Sequence, residues 1–88
     1  MSLYPNSGVP EIHNVSGSST DPVQFKGETL SVYVGGEGTK VYFNKADFDA
    51  GKNFVTVGPS GFYVWARVTG LFVQGAGNVE VIGFMPGR

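Results

Sequence analysis

Eighty-eight residues hold one small domain at most, and a chain of this length buries only about 60–65% of the surface it exposes when unfolded. Six basic and seven acidic residues leave a net charge of −1, which argues against a protein whose affinity rests on neutralising phosphates. The absence of cysteine excludes disulfides and thiolate metal sites, and the single His13 excludes a multi-histidine centre. Of the devices that small domains use to add stability, oligomerisation remains. Aromatic residues make up 14% of the chain, charged residues only 15%, and there are fourteen glycines. That balance predicts many turns and a surface suited to burial in an assembly. No run reaches the ~18–20 apolar residues needed to span a bilayer. Met1-Ser2-Leu3-Tyr4-Pro5-Asn6 lacks the basic and apolar regions of a secretory signal. Synthesis in a cytoplasm without export is the expectation, so the sequon at Asn14-Val15-Ser16 is not read.

In chain order, residues 1–22 stand apart by composition. They hold Pro5, Pro10 and Pro22, the run Ser16-Gly17-Ser18-Ser19-Thr20, and no basic residue. Prolines oppose regular pairing, while glycine and serine raise chain entropy. The segment reads as an extended or flexible N-terminal arm: either a disordered leader, or an arm that orders on a neighbouring subunit through Leu3, Tyr4, Val9, Ile12 and Val15.

From residue 23 the chain reads as strands and turns. Val23-Gln24-Phe25-Lys26 alternates briefly, and Leu30-Ser31-Val32-Tyr33-Val34 alternates cleanly and is rich in β-branched residues. The loop Gly35-Gly36-Glu37-Gly38 then leads into Thr39-Lys40-Val41-Tyr42-Phe43, and the two runs read as a β-hairpin. One helical turn is expected over residues 44–51, with Asn44 as N-cap and Gly51 as the stop. Strands follow at Phe54–Val57, Phe62–Val68, Leu71–Gln74 and Val79–Phe84, separated by Gly, Pro, Asn and Ser turns. The expected fold is all-β, a small antiparallel sandwich or barrel of six or seven short strands over residues 23–88, preceded by the arm.

Side chains alternate across a strand, and parity yields two sets. Leu30, Val32, Val34, Val41, Phe43, Phe62, Val64, Val68, Leu71, Val73, Val79 and Val81 form the expected core. Tyr33, Tyr42, Tyr63, Trp65, Phe72, Ile82 and Phe84 form a second, aromatic and mixed set, with Arg67 on the same side of its strand as Tyr63 and Trp65. Part of this set fits the core through bulges or edge packing. The rest faces a partner, since Tyr, Trp and Arg are favoured at interfaces. The interface candidates are Tyr33, Tyr42, Tyr63, Trp65, Arg67 and Phe72, with Leu3, Tyr4, Val9 and Ile12 of the arm.

No constellation points to chemistry. Asp47 and Asp49 beside Asn44 lack the rest of a calcium loop, and Glu28, Glu37 and Glu80 do not pair across a cleft by spacing. No Gly-x-Ser-x-Gly elbow accompanies the lone histidine. The glycine loops join strands rather than open helices, so they lack the geometry that cradles phosphates. No enzyme activity, cofactor, metal or small-molecule substrate is expected. The face formed by Tyr63, Trp65 and Arg67 suits stacking on bases, but it lacks surrounding lysines. The same rings suit stacking on sugars, which keeps a carbohydrate-binding module of an adhesin open.

The segments from Asp47 to Val57 and from Val68 to Gly75, with the small cysteine-free glycine-rich domain and its Pro/Ser/Gly arm, resemble the small virion structural proteins of tailed bacteriophages. Capsid decoration (cement) proteins are the nearest in size and architecture. The resemblance implies a non-enzymatic structural protein of the virion, made in the host cytoplasm. It implies a homo-oligomer, with a trimer preferred, that braces the major capsid protein during virus assembly without contacting nucleic acid or membrane. A phage tail or fibre component is the alternative within the same class.

Overall fold

The computed structural model describes residues 9–86. Eight strands and one short helix follow one another: β1 Val9–Ser16, β2 Val23–Gln24, β3 Ser31–Gly35, β4 Lys40–Tyr42, α1 Lys45–Ala50, β5 Val55–Thr56, β6 Phe62–Val64, β7 Gly70–Gln74 and β8 Asn78–Met85. They form two four-stranded antiparallel sheets, ordered β1-β8-β3-β6 and β2-β7-β4-β5. The all-β sandwich expected from the strand pattern is what the chain adopts, and it is not closed into a barrel. First strand pairs with last, second with seventh, third with sixth and fourth with fifth. That is one long hairpin rolled up so that successive strand pairs fall in alternate sheets, the order of a jelly roll.

Between the sheets lie Val32, Val34, Val79 and Val81 from one side and Val23, Val41, Leu71 and Val73 from the other, joined by Phe25 and Val57. Phe43, Phe62, Val64 and Val68 pack against this cluster half-buried, as does Val15 of β1. The aliphatic parity set is thus the interior apart from Leu30, which lies outside the core cluster, and no buried side-chain polar atom among the described residues lacks a partner.

Three sequence expectations change. Residues 9–16 are not a separate arm: they form β1, paired without interruption from Val9 opposite Met85 to Ser16 opposite Asn78. Leu3 and Tyr4 lie outside the described residues. The runs around Leu30–Val34 and Thr39–Phe43 are not a hairpin, since β3 pairs with β6 and β8 while β4 pairs with β5 and β7. The glycine loop instead carries the chain from one sheet to the other. Gly36 and Gly38 take φ of 129° and 86°, values that favour glycine. Thr39 N–H closes the turn on Gly36 C=O at 3.0 Å, and Val57 N–H then bonds Thr39 C=O at 2.8 Å. Finally, β6 stops at Val64 rather than running to Val68. Thr29, fully buried, donates its hydroxyl to Ala66 C=O at 2.7 Å and accepts Val68 N–H at 3.1 Å. These bonds replace the strand ladder there.

Because β1 covers the outer edge of β8, a chain beginning at Gly17 should not fold. At ~0.05–0.15 kcal/mol per residue the whole domain has roughly 4–13 kcal/mol to lose, and the cut removes a complete strand pairing together with Val15. The truncated chain is expected to show no cooperative thermal transition by circular dichroism; an unchanged transition would make β1 dispensable.

Candidate functional site

The two sheets treat their outer faces differently. On the second sheet, α1 and the residues after it form a cover. The Asn44 side chain caps the helix by accepting Asp47 N–H at 2.8 Å, and Gly51 ends it at φ 68°. Phe48 is thereby laid against Phe72, ring centroids 4.8 Å apart, and set edge-on to Tyr42 at 5.3 Å. Phe54 closes the other side of Tyr42 at 5.5 Å, with Lys40 Nζ 4.8 Å above its ring. Tyr42 is left only 1% exposed, its hydroxyl donating to Gln74 Oε1 at 3.1 Å. It is therefore removed from the contact candidates, and Phe72 is largely spoken for by Phe48.

The first sheet has no such cover among the described residues. Its strands place Ile12 opposite Ile82, Ile82 opposite Tyr33, and Tyr33 opposite Tyr63. All four side chains lie on the outer face, because their neighbours Val81, Val32, Val34 and Val64 point inward. A second row sets Pro10 opposite Phe84 and Phe84 opposite Ser31. An apolar and aromatic band thus crosses all four strands. Tyr33 lies against the backbone of Gly61, where an added Cβ would come within 2.6 Å of its ring. Tyr63 donates its hydroxyl to the buried Ser31 Oγ at 3.0 Å and sets its ring edgewise to Trp65 at 6.2 Å and to Phe84 at 6.3 Å. The chain beside Trp65 is tied down by the Thr29 hydroxyl, which bonds the backbone carbonyl of Ala66. Ile12 is 59%, Tyr63 49% and Trp65 68% exposed. Large hydrophobic side chains at that exposure, in contiguous array, mark an interaction surface.

Of the other candidates, Arg67 points to the end of the sandwich and pairs with Glu28 at 3.5 Å on an exposed rim. Val9 stands at the same end. Both line a groove of about 620 Å³ with Pro10, Leu30, Met85 and Lys26. On its floor Glu11 accepts Lys26 N–H at 3.1 Å and meets His13 Nε2 at 2.7 Å, and His13 presents its ring edge to Phe25. The Lys26 N–H, followed by His13, holds the Glu11 carboxyl below its ordinary value. Among the described residues no group of three or more His, Asp or Glu is placed to hold a metal ion.

The sequence reading did not include Pro10, Ile82 and Phe84 among its contact candidates. Ile82 and Phe84 belong to the mixed set, and only the position of β8 inside the sheet brings them beside Tyr33 and Tyr63. Comparison with known proteins finds no family model, no curated protein and no solved structure that matches the chain.

Two outcomes separate covered from open aromatics. Tyr42→Ala should cost about 3–5 kcal/mol of folding, as for other large buried aromatics, whereas Trp65→Ala should stay within about 0.5 kcal/mol of wild type, both read by urea unfolding. A second outcome concerns acid. Since the folded Glu11 pKa is depressed, its contribution is fully present above the ordinary carboxylate value of 4.5 and is lost as pH falls through the lower folded value. Glu11→Gln should therefore flatten the pH dependence of stability below about pH 4.5 while leaving its slope near neutrality unchanged; an unaltered acid limb would show that the carboxylate is not used.

Proposed function

We propose that this chain is a non-enzymatic structural protein of a phage particle, of the capsid decoration kind, which attaches to the protein shell through the outer face of the β1-β8-β3-β6 sheet. The observation that carries the reading is the band of Ile12, Ile82, Tyr33, Tyr63, Phe84 and Trp65, which no other element among the described residues covers. Its make-up is that of a contact surface: aromatic, nearly free of charge, and with two of its rings oriented in advance, Tyr63 by its hydrogen bond to Ser31 and Tyr33 by its packing against Gly61. Prepaid ordering of this kind lowers the entropic cost of binding. The jelly-roll order is used by viral capsid domains, a likeness of architecture that adds to the reading by analogy alone. The mechanism is added buried area between shell subunits, whose stabilisation grows with occupancy.

A second reading rests on the Tyr63–Trp65 pair, since exposed rings also stack on sugars and jelly rolls include lectin domains. Co-sedimentation of the labelled chain with purified phage shells decides between them. Shell binding should saturate, and Trp65→Ala should weaken it about 30-fold or more, the cost of losing an anchor of ~2 kcal/mol. Failure to bind any shell, with saturable binding to a glycan array, would favour the sugar-binding module.

A further inference from the structure

Among the described residues the sandwich has four open sheet edges, β1, β6, β2 and β5. Three are short: β6 has three residues and β2 and β5 two each, whereas β1 has eight. Short strands are one way of blunting an edge; lysines and bulges are others. β1 has no lysine or arginine and no bulge, all its residues pairing in step with β8. Its one acidic side chain, Glu11, is occupied by Lys26 N–H and His13.

The unpaired side of this strand can be assigned residue by residue. Gly17 N–H bonds Gly77 C=O at 2.8 Å, continuing the β1–β8 ladder by one step. Antiparallel alternation then aims the N–H and C=O of Glu11, His13 and Val15 at β8, and those of Pro10, Ile12, Asn14 and Ser16 away from it. Pro10 falls in the outward set, where its missing N–H costs the ladder nothing. The Ser16 carbonyl already accepts Ser19 N–H at 3.0 Å. What remains free among the described residues is therefore the N–H of Ile12, Asn14 and Ser16 and the C=O of Pro10, Ile12 and Asn14.

We infer that β1 pairs antiparallel with β1 of a second copy, about a two-fold axis at His13. In that register Ile12 exchanges both backbone bonds with Asn14 of the second copy, and Ser16 N–H donates to Pro10 C=O of the second copy. The one carbonyl that would face Pro10's missing N–H is that of Ser16, which is already satisfied within its own chain. Every free outward group then finds a partner. An axis at Ile12 instead sets Pro10 against Asn14 and leaves the Asn14 carbonyl unpaired, and an axis at Asn14 sets Ile12 N–H against the occupied Ser16 carbonyl. The edge is complementary to itself in one register, which is what an isologous contact requires. The pairing joins the two β1-β8-β3-β6 sheets into one and makes a dimer, in contrast to the trimer implied by the phage resemblance. It does not depend on the shell reading.

Amide exchange and sedimentation on the full chain test it together. Glu11, His13 and Val15 amides should be protected at all concentrations, while Ile12, Asn14 and Ser16 amides should gain protection only as the dimer forms. Asn14→Pro removes an outward donor twice per dimer, and should weaken dimerisation about tenfold or more while retaining the monomer's fold. His13→Cys should cross-link on oxidation, because the two residues 13 form a non-hydrogen-bonded pair with Cα atoms about 4.5 Å apart, within disulfide reach. A wild-type chain that stays monomeric to millimolar concentration with Ile12 and Asn14 amides unprotected overturns the inference, and so does a dimer in which those amides remain unprotected.

Discussion

The pairing of the first strand with the last is the contact on which the rest of the structure depends. Val9 to Ser16 lie along Met85 to Asn78, so the rolled hairpin is locked where its two ends meet. Without that pairing, β8 is an edge, and the inner valines Val79 and Val81 lose Val15 and His13 beside them. The same arrangement makes folding non-local. Only β4 and β5 pair as chain neighbours, with α1 between them, while every other pairing waits for distant segments to meet. Such topologies bear the loop-closure cost before contacts repay it, which suits a cap-stabilised helical turn beside the apex of the hairpin as the place where local order is most easily made.

The contrast between the two outer faces comes from one short helix. Tyr42 and Tyr63 are the same residue type, both placed on outer faces of their sheets, yet one is sealed and the other open. Asn44 and Gly51 fix the turn that sets Phe48 over Phe72 and Tyr42, giving the second sheet a small core of its own. The first sheet receives no equivalent cover among the described residues. There, packing goes only as far as orienting the rings: Ser31 holds the Tyr63 hydroxyl, Thr29 holds the chain beside Trp65, and Gly61 leaves room for Tyr33. A surface whose side chains are anchored but not covered loses little entropy when something covers it.

Much of this was legible in the sequence, because alternation and turn chemistry are local. The valines of β3, β7 and β8, the cap at Asn44 and the stop at Gly51 are read from a few adjacent residues. Parity also separated the interior set from the mixed one, but it reports only which side of a sheet a residue takes, not what lies above that side. Hence Tyr42 and Tyr63 were indistinguishable. β1 escaped for another reason. Its apolar residues Val9, Ile12 and Val15 recur every third position rather than every second, since the inward places at 11 and 13 are filled by Glu11 and His13, which satisfy each other. With Pro10 and the serine run beside them, they imitate a linker. The glycine loop at 35–38 misled likewise: four residues rich in glycine suit a hairpin and a crossing between sheets equally, and only the pairing of β3 with β8 distinguishes them.

Face and edge also bear on each other. In the proposed two-fold arrangement through β1, Ile12 of each copy approaches the seam, so the open bands of the two sheets run together into one continuous surface without a new residue. Two linked copies of a weak contact bind far more tightly than one, provided both reach their sites at once. The rigid continuation of a sheet would fix their separation better than a flexible linker, at the cost that a repeating partner with the wrong spacing would be refused. The same strand, free of lysine and arginine, that risks indiscriminate edge pairing is in that arrangement restrained by Pro10 and Ser16, whose missing donor and occupied acceptor admit one register and penalise its neighbours.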